Sequence, residues 1–101
     1  MYLERMIQQI RPDKWDALEE LDKKYNAVEK RMGFPAKRRY QMIFGRNPAF
    51  TTLVIEREWE SMAAMETVMM KALADPEYQA LGVEGHDIIQ NFKWEMYLVL
   101  T

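Results

Sequence analysis

Residues Phe50–Tyr78 read FTTLVIEREWESMAAMETVMMKALADPEY, and the spacing of apolar residues changes character at Ser61. The first part, FTTLVIEREW (Phe50–Trp59), is rich in β-branched residues and predicts a strand. Alternation places Leu53, Ile55, Arg57 and Trp59 on one side of it and Val54, Glu56 and Glu58 on the other. Ser61 then stands where a side-chain oxygen can accept from the free amides of a helix's first turn, although Ala64 does not complete a capping box. At about 100° per residue, Met62, Met65, Met69, Ala72 and Leu73 make one continuous helical arc, with Glu66 at its edge. Asp75 as a cap, Pro76 in a first turn and Gly82 as a stop predict a restarted helix, with a break near Asp75.

Working outward, KRRYQMIF (Lys37–Phe44) predicts a second strand, joined to the third by the turn residues GRNPA as a hairpin. Upstream, Trp15, Leu18, Leu21, Tyr25, Val28 and Met32 recur at steps of three and four, the stripe of an amphipathic helix. Pro12 suits that helix's first turn, Asp13 and Asp16 complement its dipole, and Gly33, Phe34 and Pro35 end it. YLERMIQQI (Tyr2–Ile10) predicts the first strand, VEGHDIIQ a connector, and NFKWEMYLVL (Asn91–Leu100) the fourth strand. The order β-α-β-β-α-β is the split βαβ arrangement, an α+β fold. Right-handed crossovers put the first and third strands in the middle of a four-stranded antiparallel sheet, the second and fourth at its edges, and both helices on one face.

Face assignment has two consequences. Phe92, Trp94, Met96, Leu98 and Leu100 should meet the helices, together with Tyr40, Met42 and Phe44 from the second strand and Tyr2, Glu4, Met6, Gln8 and Ile10 from the first. Glu4, Gln8 and Arg57 then intrude on an apolar side, where a charge is costly unless paired. Glu4 and Arg57 on neighbouring strands form either a closed ion pair or the polar corner of a ligand pocket. The opposite face, with Leu3, Ile7, Ile43, Val54, Tyr97 and Val99, is too apolar for open water yet carries charges of both signs. A second copy packed sheet against sheet is the economical cover.

Composition excludes several classes. A chain of 101 residues predicts one domain spanning 1–101, with 49% apolar and 30% charged residues in an ordinary globular balance. A net charge of −2 gives no reason for nucleic acid or an anionic membrane as partner, and no apolar run reaches the roughly 20 residues of a membrane span. YLERMIQQI is too polar for a secretory leader, so a cytoplasmic location is expected. The chain has no cysteine and one histidine, His86, so no metal site is expected; His86 in its polar loop is an acid–base candidate or simply solvated. The methionines of the second helix have the spacing of a helix face and no histidine or cysteine beside them, which favours packing over copper(I). Glu66 either snorkels outward or, turned inward, serves as a base.

VIEREWES, followed by a helix and ADPEYQAL, resembles the dimeric α/β-barrel superfamily of ferredoxin-like domains, in its NIPSNAP-like and antibiotic-biosynthesis-monooxygenase-like branches. Trp59-Glu60-Ser61 and Asp75-Pro76-Glu77-Tyr78 carry the resemblance, which spans the whole chain in element order. It implies a homodimer whose sheets face each other, with a small cavity between sheet and helices in each subunit. It further implies cofactor-free oxygenase or isomerase chemistry on a small apolar or aromatic molecule, or else a non-catalytic binding or assembly module. The pattern of the superfamily's haem-degrading branch is not met: the first strand lacks asparagine, the helix after Ser61 lacks tryptophan, and Gly82 stands where histidine would. Glu4, Gln8, Tyr40, Arg57, Trp59, Met65, Glu66 and Met69 are the pocket candidates, with no cofactor expected.

Overall fold

The strands containing YLERMIQQI and VIEREW pair along their length at the centre of the sheet, and the chain folds around that pair. The computed structural model describes residues 1–101. Its elements are β1 (Tyr2–Ile10), α1 (Trp15–Met32), β2 (Lys37–Gln41), β3 (Thr52–Trp59), α2 (Met62–Leu73), α3 (Pro76–Gly85) and β4 (Ile89–Leu98). The sheet is antiparallel in the order β2-β3-β1-β4, so β1 and β3 are central as the crossovers require. This is the α+β ferredoxin-like arrangement with the second helix in two pieces.

The caps follow local chemistry. Ser61 Oγ accepts from Ala64 N at 3.0 Å and Asp75 Oδ1 from Tyr78 N at 3.0 Å. The Arg31 guanidinium beside Asp75 holds that carboxyl below the usual range, with the Tyr78 amide adding to the effect. Gly33 ends α1 at φ 90° and donates to Glu29 and Lys30 carbonyls. Nothing lies within 4 Å of a Cβ built there, so Gly33→Ala incurs only the left-handed backbone cost. We expect about 1 kcal/mol of lost stability in a urea melt.

Several boundaries differ from the sequence reading. Pro12 lies before α1, in a turn closed by Lys14 N to Arg11 O at 3.2 Å, with Asp13 at φ 62°. β2 stops at Gln41 rather than Phe44, and β3 starts at Thr52 rather than Phe50, whose φ is 65°. α3 passes through Gly82 to Gly85, because the position is exposed and glycine costs a helix only about 1 kcal/mol there. β4 begins two residues earlier and ends two earlier than expected.

The core gathers Leu18, Leu21, Val28 and Met32 of α1 against Leu53, Leu81 and Ile88. Register confirms the helix-side parity of β1, β3 and β4: Glu4 pairs with Arg57 and Met96, and Gln8 with Leu53 and Phe92. For β2 the parity is reversed. Lys37 pairs with Arg57 and Arg39 with Ile55, so these two cations face the helices while Tyr40, opposite Val54, lies on the far face. The reason is on α1, where Glu19, Asp22 and Glu29 supply carboxylates to Lys37 and Arg39. Nor do the helices cover β4: Phe92, Trp94 and Leu98 are on the expected side but remain exposed. The Cα envelope is 37 × 37 × 17 Å, two layers thick. No helix is long and apolar enough to cross a membrane.

Candidate functional site

Between the central strands and α1 lies a largely enclosed cavity of about 110 Å³. Its sheet side is built from alternate residues, Glu4, Met6 and Gln8 on β1 and Leu53, Ile55 and Arg57 on β3. Its roof comes from the stripe of α1, with Leu18, Leu21 and Tyr25, and from Tyr78 in the first turn of α3. The DPEY restart therefore has a structural job: it turns the chain so that Tyr78 meets Tyr25 edge-to-face, ring centroids 5.8 Å apart.

Glu4 is 4% exposed and has no cation within ion-pair reach. Trp59 Nε1 donates to Glu4 Oε1 at 2.9 Å and Trp94 Nε1 to Oε2 at 2.7 Å. Each carboxylate oxygen is thus held by one indole, which uses two of about four acceptor positions. The expected Glu4–Arg57 pair is not formed. Arg57 Nη2 instead meets Glu29 Oε2 at 2.5 Å, and its guanidinium sits 4.9 Å from the centre of the Phe34 ring. Register brings Glu4 and Arg57 together, but the carboxylate row on α1 outcompetes Glu4 for the cation.

The rest of that row is also paired. Lys37 Nζ lies 2.7 Å from Asp22 and 3.0 Å from Glu29, at 9% side-chain exposure. Arg39 grips Glu19 through both terminal nitrogens at 2.8 and 3.3 Å. Its Nε is 3.5 Å from Asp22, an ion-pair contact without hydrogen-bond geometry. Arg57 Nε is buried with no partner at all.

Unspent hydrogen-bonding capacity is therefore concentrated at the cavity. Gln8 Nε2 donates only to Met6 Sδ, at 3.1 Å, a weak acceptor. Burial pushes the Tyr25 phenol up to about 12, helped by neighbouring Tyr78 and Glu29, and raises Tyr78 for the same first reason. Both hydroxyls thus remain donors throughout the physiological range. For stability the sign is definite: a raised Tyr25 value means the contribution is complete below about pH 10 and is lost as pH climbs toward 12. An absorbance titration of tyrosinate should show a phenol ionising well above the ordinary tyrosine range, at about 12, as the protein loosens.

Of the eight pocket candidates, Glu4, Gln8 and Arg57 line the cavity, and Trp59 joins through its bond to Glu4. Tyr40 lies on the far face, in an apolar groove with Ile7, Ile43, Phe44 and Val54. Met65 is buried and Met69 half-buried, but neither lines the cavity, and Glu66 is exposed on α2. His86 is exposed beyond α3, where its carbonyl accepts from Arg11 Nε at 3.3 Å. The sequence reading missed Asp22, Glu29, Lys37, Tyr25 and Tyr78 as site residues. Glu29 stands next to Val28 of the α1 stripe, which was the available signal.

No family model and no curated protein matches this chain. Solved structures do. A NIPSNAP family protein from Agrobacterium tumefaciens superposes with a TM-score of 0.81 at 14% identity, over 98% of this chain and 92% of that one. An uncharacterised NIPSNAP domain protein from Burkholderia xenovorans gives 0.73 at 14% identity, over 99% and 95%. An antibiotic biosynthesis monooxygenase gives 0.70 at 14% identity, over 100% of both chains. The fold is the one these structures share, and it is the fold the Trp59–Ser61 and Asp75–Tyr78 motifs resembled.

Proposed function

We propose that the chain, one domain over residues 1–101, is a homodimeric, cofactor-free isomerase acting on a small ring-sized carbonyl compound in the sheet–helix cavity. One observation carries the reading: a buried carboxylate, Glu4, lines the cavity without a cation partner and is held by two indoles. Glu4 takes a proton from the carbon beside the carbonyl, and the C–H electron pair moves into an enolate. The Tyr25 and Tyr78 hydroxyls and the Gln8 amide supply donors where negative charge develops on oxygen. Return of the proton from Glu4 to the γ-carbon shifts the double bond into conjugation, with no oxidant or reductant consumed. The cavity, about 110 Å³, is smaller than the apolar void of about 150 Å³ that holds benzene, so a single small ring is the upper limit of what it admits without widening.

The likeness to an antibiotic biosynthesis monooxygenase favours a second reading, in which dioxygen intercepts the same enolate. Conversion of cyclohex-3-enone to cyclohex-2-enone, followed by the absorbance of the conjugated product, tests the first. We expect acceleration over buffer that saturates with substrate. Saturable binding without acceleration would mark a binding module, and acceleration without saturation would place the chemistry outside the cavity.

The dimer reading is supported by the far face. Leu3, Ile7 and Val54 lie there half-buried beside Tyr40 and Tyr97, among charges of both signs: the Arg5–Glu56 pair at 2.8 Å, and Arg38, Glu58, Lys93 and Glu95 around it. Light scattering should give twice the 12.1 kDa chain mass. Val54→Asp, which places an unpaired charge at the centre of that face, should give the monomer at micromolar concentration. A wild-type monomer would contradict the reading.

A further inference from the structure

We infer that the cavity selects an uncharged ligand with a carbonyl oxygen and a hydrogen to donate, and rejects carboxylates and phosphates of the same shape. The inference rests on the cavity being a ligand site. Five charged residues line it: Lys37 and Arg57 against Glu4, Asp22 and Glu29. Both cations are already committed, Lys37 to Asp22 and Glu29, Arg57 to Glu29. The remaining carboxylate, Glu4, has only neutral indole donors. An anion entering here would have to strip Glu29 from Arg57, leaving a carboxylate of 12% exposure short of a partner, and would then lie in the same small space as Glu4. Desolvated like charges are costly, so the built-in ion pairs exclude anions rather than attract them.

What is left unpaired has the opposite preference. Tyr25 and Tyr78 hydroxyls, the Gln8 amide and the Arg57 Nε–H are neutral donors or an already neutralised one, suited to a carbonyl oxygen. The unfilled acceptor positions on Glu4 suit a donor hydrogen such as that of an amide or enol. Met6, Leu18 and Leu53 give the apolar wall a ring requires.

Benzamide and benzoate have nearly the same shape and differ in charge at neutral pH, so they isolate this selectivity. Titration of each into the dimeric protein at pH 7, followed through the Gln8 side-chain amide and the tyrosine ring resonances, should give benzamide at least tenfold tighter. Glu4→Gln, which removes the uncompensated carboxylate, should narrow that ratio by raising benzoate affinity. Benzoate binding equally or more tightly in the cavity would overturn the charge selectivity while leaving the ligand site standing. Failure of both probes to perturb the cavity at 10 mM, well beyond the roughly millimolar affinity of a weak fragment, would overturn both readings.

Discussion

Glu4→Gln should keep its fold and its affinity for cyclohex-2-enone while the rate of isomerisation falls at least a hundredfold, a general-base effect of the usual size. The substitution preserves shape and removes only the basic oxygen. With one indole on each oxygen, an amide in the same place keeps an acceptor for only one of them, because its other heavy atom is itself a donor. The half-exposed Trp94 is free to turn toward water, whereas Trp59, 2% exposed, is not. The loss should therefore appear in kcat with KM nearly unchanged, as for an interaction used in the transition state. Trp94→Phe tests positioning separately: the Glu4 carboxyl group stays in place and loses one of its two anchors, and a fall of about tenfold is expected. Steady-state kinetics on the three proteins separates these outcomes.

Glu29→Ala should be the most destabilising single change at the site. It removes Arg57's only carboxylate partner and one of two from Lys37, at side-chain exposures of 8% and 9%. Solvent screens neither cation, so breaking the buried pair costs about 3–5 kcal/mol. For a chain of this length each kcal/mol moves Tm by about 4–8 °C, which gives a fall of at least 12 °C or so in a thermal melt. Glu20→Ala is the control. Its pair with Lys23 is exposed on both sides, and its loss should be within about 0.5 kcal/mol of neutral. Replacing Glu29 and Arg57 together by leucine and methionine should recover most of the loss, since the pair then leaves no orphaned charge.

The fold was legible because its signals are local and redundant. VIEREW has a period of two, Ser61 and Asp75 are caps that cap, and Gly33 takes the one backbone conformation its position needs. The strand order followed from crossover handedness without any side-chain detail. β2 was misread for a physical reason: Tyr40, Met42 and Phe44 look like an inward face, yet Lys37 and Arg39 turn inward to meet acids on α1, eight to twenty residues earlier in the chain. Alternation cannot register attraction between elements. The same limit governs Glu4 and Arg57, whose proximity was readable and whose partners were not. Of the arc read on α2 only Met65 and Ala72 are buried, and the cavity forms under α1, lined by Tyr25 and Tyr78 and by neither Met65 nor Met69.

The most direct test of Glu4 as the single proton carrier is isotope transfer. Cyclohex-3-enone deuterated at C2 is converted in ordinary water, and the product is examined for deuterium at C4. A buried carboxyl that both takes and returns the proton should deliver part of the label to C4 in the wild-type reaction and none through Glu4→Gln. A product that forms no faster than in buffer, or with no more C4 label than buffer gives, would contradict the account.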